Sequence, residues 1–133
     1  LTRLLVQRIG RAGVVSVQNT LILSEVSAPE PDVVVLAPHM DRIDAGVPRA
    51  GDVLLAIEVA DSTLAWDRGR KLALYAGAGI VEYWVVDVNA QVVEVCRNPD
   101  SNGYGDRRRV RRGEAAAPIV APQAMLRIDE LFE

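Results

Sequence analysis

Between Val53 and Asp87 the chain reads as strand, helix, strand, and no other stretch narrows the possible folds so far. Val53 to Ala60 is an apolar run interrupted only by Glu58. Runs of this kind belong to strands buried on both faces, whereas strands with one wet face alternate. Asp61, Ser62 and Thr63 follow with helix-start chemistry, because their short side-chain oxygens can accept from the orphan N–H groups of a first turn. The helix is expected to run to about Ala78, closed by Gly77 and Gly79. Gly69 in its interior costs about 1 kcal/mol relative to alanine. Glu82 to Asp87, EYWVVD, then reads as the next strand. Two strands joined by one helix lie parallel, and such crossovers are right-handed.

The rest of the chain builds around this unit. Leu4, Leu5 and Ile9 share a helical face, so Leu1 to Ile9 reads as a helix ended by Gly10 and Gly13. The chain opens inside that helix, which leads us to expect a preceding segment beyond a single domain over 1–133. Val14 to Leu23 is rich in β-branched residues and reads as a strand, broken off by Pro29 and Pro31. Asp32 to Leu36 is a short buried strand, and residues 38 to 51 form a polar loop. Val88, Asn89 and Ala90 turn the chain back into a strand over Gln91 to Arg97. A second loop spans 98 to 106, Asp106 to Gly113 is a basic extended segment, and Leu126 to Phe132 closes as a short helix. This order predicts an α/β fold with a mixed sheet flanked by helices.

Composition excludes several classes. Half of the 133 residues are hydrophobic, too many for a disordered chain. No apolar run approaches the ~20 residues that cross a bilayer, and the stretch from Leu1 is not expected to be a secretory signal. Cys96 is the single cysteine, which rules out an intrachain disulfide and suits a reducing, cytoplasmic compartment. The net charge of -3 argues mildly against a nucleic-acid partner, although a local basic stripe is enough for one.

Three residues stand out as chemistry. Asp32 opens one buried strand and Glu58 lies inside another, where a carboxylate is costly unless paired or metal-bound. Brought together on adjacent strands, the two would bind a hard cation such as Mg²⁺. The plainer alternative is two carboxylates solvated or ion-paired at strand ends. The basic residues are fourteen arginines and one lysine, Lys71. A chain that uses arginine everywhere else has kept a compact point charge at one place. Lys71 lies on the crossover helix, with Asp67 and Tyr75 one turn to either side. It could form a surface pair with Asp67, or reach back over the strand end to stabilise charge on a phosphate.

Together these residues carry a resemblance. The stretch GDVLLAIEVADSTLAWDRGRKLALYAGAGIVEYWVVD, with the preceding PEPDVVVL and the later VVEVCR and LRIDELF, resembles the signature of the Uma-two family of restriction endonucleases, in the PD-(D/E)XK nuclease superfamily. The resemblance covers nearly the whole chain, from about Leu1 to Phe132. It implies a restriction-endonuclease-like sheet of four to five strands flanked by helices, and a metal-dependent endonuclease cutting DNA. Its metal ligands would be Asp32, Glu58 and the main-chain carbonyl of Val59, holding Mg²⁺ or Mn²⁺. Its catalytic residues would be Asp32, Glu58 and Lys71. The superfamily's usual lysine position, two residues after the glutamate, is Ala60 here, and the family's displaced lysine falls on Lys71. The resemblance and small size also imply a homodimer. The alternative is an inactive DNA-binding or protein-interaction module of the same fold.

Other residues have both a plain and a sharp reading. His39, the only histidine, lies in a proline-flanked loop and is either exposed or a phosphate contact. Tyr83 and Trp84 read as core, and so does Cys96. Arg107, Arg108, Arg109, Arg111 and Arg112 form either a guarded edge strand or a phosphate-tracking strip.

Overall fold

The computed structural model describes residues 1–24, 27–42, 44–61 and 65–132, excluding the side chains of 65–68. The expected helix-start residues Ser62 and Thr63, and the side chain of Asp67, lie outside the described residues. The elements are α1 (Thr2–Ile9), β1 (Val14–Val17), β2 (Val33–Leu36), β3 (Val53–Ala60), α2 (Ala65–Gly77), β4 (Glu82–Asp87), β5 (Val92–Pro99), β6 (Tyr104–Val110), β7 (Ala115–Ala116), β8 (Leu126–Arg127) and α3 (Ile128–Leu131). Strands β1 to β6 form one sheet in sequence order, and β7 and β8 form a small ribbon. Among the described strands of this sheet only β3 and β4 run parallel, because α2 carries the chain between them; the other neighbours are antiparallel. The fold is therefore α/β with a mixed sheet, and the sheet has six strands where four to five were expected.

The sheet is covered on both sides, which is why its central strands are nearly all apolar. On one face Leu55, Ile57, Trp84, Val86, Val93 and Val95 pack against α1 and the C-terminal residues Leu126 and Ile128. On the other, Ala56, Ala60, Tyr83, Val85 and Cys96 meet Leu72, Tyr75, Ala76 and Ile80 of α2 and its exit. Tyr83 and Trp84 are both buried and point to opposite faces. The small Ala56 and Ala60 make room for α2, and Glu58 lies between them on the same face.

The end of α2 is fixed by Gly79 at φ 81, a left-handed backbone that favours glycine. There the Ile80 N–H reaches the Tyr75 carbonyl at 3.1 Å while the Ile80 side chain is fully buried. This is a Schellman-type stop, and it holds the last turn of α2 on the sheet.

Three sequence expectations shift, the first at the C-terminus, where Leu126–Arg127 is a strand and the helix covers only Ile128–Leu131. Val14 to Leu23 is a strand only as far as Val17, since Gln18 adopts φ 50 and breaks the extended run. The basic segment is a strand over Tyr104–Val110, not 106 to 113. The opening carboxylate of EYWVVD, Glu82, is fully buried, which its place at a strand end did not suggest. It accepts from Trp84 Nε1 at 2.9 Å, Arg97 Nε at 2.9 Å and the Ile119 N–H at 2.8 Å, so the burial is compensated. Two of those donors lie far along the chain.

Candidate active site

The β2–β3 register pairs Val33 with Ile57, and one step further sets Asp32 opposite Glu58. Residues directly opposite on one face are close neighbours, with Cβ atoms about 5 Å apart. Asp32 alternates with Val34 and Leu36, which face α2, so both carboxylates stand on the α2 side of the sheet. Asp32 lies just before β2 and is partly exposed. Its Oδ2 accepts the Val59 N–H at 2.7 Å, which ties it to the strand that carries Glu58.

Glu58 is nearly enclosed, at 4 % exposure. Two residues one turn apart on α2 clamp it. Lys71 Nζ lies 3.2 Å from Oε2, and the Tyr75 hydroxyl donates to Oε1 at 2.9 Å. The parallel β3–α2–β4 crossover makes this possible, because it returns the helix over the strand it has just left. Burial pushes the Glu58 carboxyl above its ordinary range, and the bonds from Tyr75 and Lys71 oppose that shift, while neighbouring Asp32 adds to it. Burial together with Glu58 drives the Tyr75 phenol far upward, so it remains a proton donor at any working pH. Two carboxylates at close quarters, one of them poorly solvated, favour a bound cation.

Asp32, Glu58 and Lys71, named from sequence on three different segments, thus come together. The described partner of Lys71 is Glu58. Tyr75 was visible only as the residue one turn after Lys71; the signal for its role was that helical spacing, combined with the burial of Glu58. His39 does not join the site. It follows the far end of β2 from Asp32, and its Nε2 lies 3.1 Å from Asp52 Oδ1 in an exposed pair. Cys96 is buried with its thiol pushed up to about 12 by burial, as a core residue would be. Among the described residues no three histidine, cysteine or acidic side chains gather into one metal cluster. A cation held by Asp32 and Glu58 would complete its shell with main-chain carbonyl and water oxygens, as Mg²⁺ commonly does.

The arginine run does not form one strip. Strand alternation sends Arg107 and Arg109 to the α2 face and Arg108 to the other. Arg107 pairs with Glu94, and Arg112 is tied to Gln91, Asp129 and the Phe132 carbonyl. Arg109 is exposed and in register with Glu94, Val85 and Glu58, in a single row across the sheet.

No helix among the described residues is long and apolar enough to cross a membrane. No curated protein matches the chain. One solved structure similar to it is the crystal structure of a "putative nuclease belonging to DUF820" from Anabaena variabilis ATCC 29413. It is 16 % identical, with a TM-score of 0.76 over 98 % of this chain and 75 % of that one, and it shares the fold. The family model described as "Uma2: Putative restriction endonuclease" matches residues 1–127, and the chain belongs to that family.

Proposed function

We propose that the chain is a metal-dependent endonuclease that hydrolyses DNA phosphodiester bonds at the site formed by Asp32, Glu58 and Lys71. The observation that supports this most is the 3.2 Å approach of the chain's only lysine to a buried glutamate that stands beside a second carboxylate. Surface ion pairs seldom enclose one partner, and perturbed carboxylates beside a cation are common at catalytic sites. The oxygen donors suit Mg²⁺ or Mn²⁺, which Asp32, Glu58 and the Val59 carbonyl would hold. When bound, such an ion supplies Lewis-acid stabilisation of the scissile phosphate and a more acidic water.

The chain's own residues do the rest. Asp32 has committed Oδ2 to the Val59 N–H and offers Oδ1. Glu58 offers Oε2, the oxygen that Lys71 also touches. Lys71 is half-exposed, so its ammonium can move from Glu58 to a phosphate oxygen or to the attacking water and meet charge as it develops. Arg109, in the same row of the sheet, is placed to hold a phosphate of the bound strand. Cutting both strands of a duplex at such a site is most simply done by two copies of the chain related by a two-fold axis.

The test is a titration of Mg²⁺ and Mn²⁺ with plasmid, linear DNA and RNA as substrates. Cleavage of DNA that requires the metal and disappears in Asp32→Ala and Glu58→Ala is expected. Metal binding without cleavage of any substrate would point instead to an inactive binding module, and cleavage of RNA alone would move the substrate class.

A further inference from the structure

We propose that Tyr75 is the positioning residue of the metal site, holding Glu58 so that it offers a cation one oxygen and not two. The inference rests on the metal reading given above and goes beyond it. Three observations carry it. The Tyr75 hydroxyl donates to Glu58 Oε1 at 2.9 Å, which commits that oxygen and fixes the rotation of the carboxylate. The ring is fully buried and packs on Tyr83 with centroids 4.9 Å apart, so the hydroxyl has a fixed origin. The remaining oxygen, Oε2, is the one approached by Lys71, whose side chain is 45 % exposed. Glu58 is thus held from inside by a buried donor and met from outside by a half-exposed cation whose place a metal can take. Groups hydrogen-bonded to metal-ligating carboxylates orient them, and losing one commonly costs 10- to 100-fold in metal affinity, by general experience.

A matched control exists in the same aromatic stack. Tyr104 is also buried, its ring stacks on Tyr83 with centroids 6.1 Å apart, and its hydroxyl donates to the Ile80 carbonyl at 2.8 Å. Tyr104→Phe therefore removes a comparable buried hydrogen bond that does not touch Glu58. The experiment is calorimetric titration of Mn²⁺ into the parent, Tyr75→Phe and Tyr104→Phe, each first checked for folding by circular dichroism melting. Tyr75→Phe should weaken Mn²⁺ binding by about 10-fold or more, while Tyr104→Phe binds as the parent does. Equal affinity in all three overturns the positioning role and leaves the metal reading standing. Equal weakening in both variants overturns it too, since general softening of the stack would then be the cause. A parent that takes up no Mn²⁺ refutes the metal reading and this role with it. Infrared difference spectra of the parent give a second arm that needs no Tyr75 variant. The Mn²⁺-induced carboxylate bands that vanish in Glu58→Gln should show the wide splitting of one-oxygen coordination, and the narrow splitting of two-oxygen chelation overturns the proposal.

Discussion

Lys71→Ala separates a structural lysine from a catalytic one. At 3.2 Å and an effective dielectric near 20, the Lys71–Glu58 attraction is about 5 kcal/mol before screening. Lys71 is 45 % exposed, which brings the net value toward the ~1 kcal/mol of a surface pair. The partner is not a surface group, however. Removing the ammonium leaves a carboxylate at 4 % exposure with Tyr75 as its described side-chain donor. The cost should therefore exceed that of an ordinary surface pair and reach roughly 1–2 kcal/mol, well short of the ~3–5 kcal/mol for breaking a fully buried pair. In a chain of this size that lowers Tm by roughly 3–8 °C. The loss should shrink in a Glu58→Gln background, where no buried charge is left behind. Cleavage should fall much further, by about 100-fold or more, if one contact made in the transition state is lost. Lys71→Arg keeps the charge and most of the stability, but its planar fork does not reproduce a point charge, so its cleavage should fall as well. Mn²⁺ binding should be no weaker in either variant, because the carboxylates remain. Thermal melts, calorimetry and plasmid nicking measure the three quantities. A Lys71→Arg protein that nicks at the parent rate would show that any cation suffices there. A Lys71→Ala protein with unchanged Tm and rate would make Lys71 a surface residue.

Other outcomes follow from the same geometry. The Glu58 carboxyl is raised above its ordinary 4.5, so the folded metal-free protein holds that proton to higher pH than the unfolded chain. Between those two values folding binds the extra proton, and stability falls as pH rises. Glu58→Gln should accordingly melt above the parent at neutral pH, with the gap narrowing as pH falls toward about 4.5 and closed below it. A gap that widens on acidification would reverse the sign and disprove the desolvation argument. On the basic strand, Arg109→Ala should weaken DNA binding and reduce the log–log salt slope by about 0.9, one phosphate contact. Arg108→Ala, on the opposite face, should change neither, and equal effects from both would mean that DNA does not run along the α2 face of the sheet.

Much of this arrangement was legible in one dimension. The apolar runs at 53–60 and 82–87 with a helix between them determine a parallel strand pair, because no short turn can return a chain in the same direction. A carboxylate inside such a run is conspicuous, and so is one lysine among fourteen arginines. Local signals therefore determined the central strands, the stop of α2 near Gly79 and the identity of Asp32, Glu58 and Lys71 as residues to watch. They did not determine the sixth strand or the early end of β1 at Gln18, because strand pairing and positive φ depend on distant neighbours.

Only the tertiary structure decided who touches whom. Asp32 faces Glu58 because the β2–β3 register aligns residues far apart in sequence, and a slip of one residue would have sent their side chains to opposite faces. Tyr75 clamps Glu58 because the crossover lays α2 back over β3. Glu82, a second buried carboxylate on the other face, resembles Glu58 in sequence but is satisfied by Trp84, Arg97 and the Ile119 N–H. What sets Glu82 apart from Glu58, the proposed metal ligand, is those partners, and only packing brings them within reach.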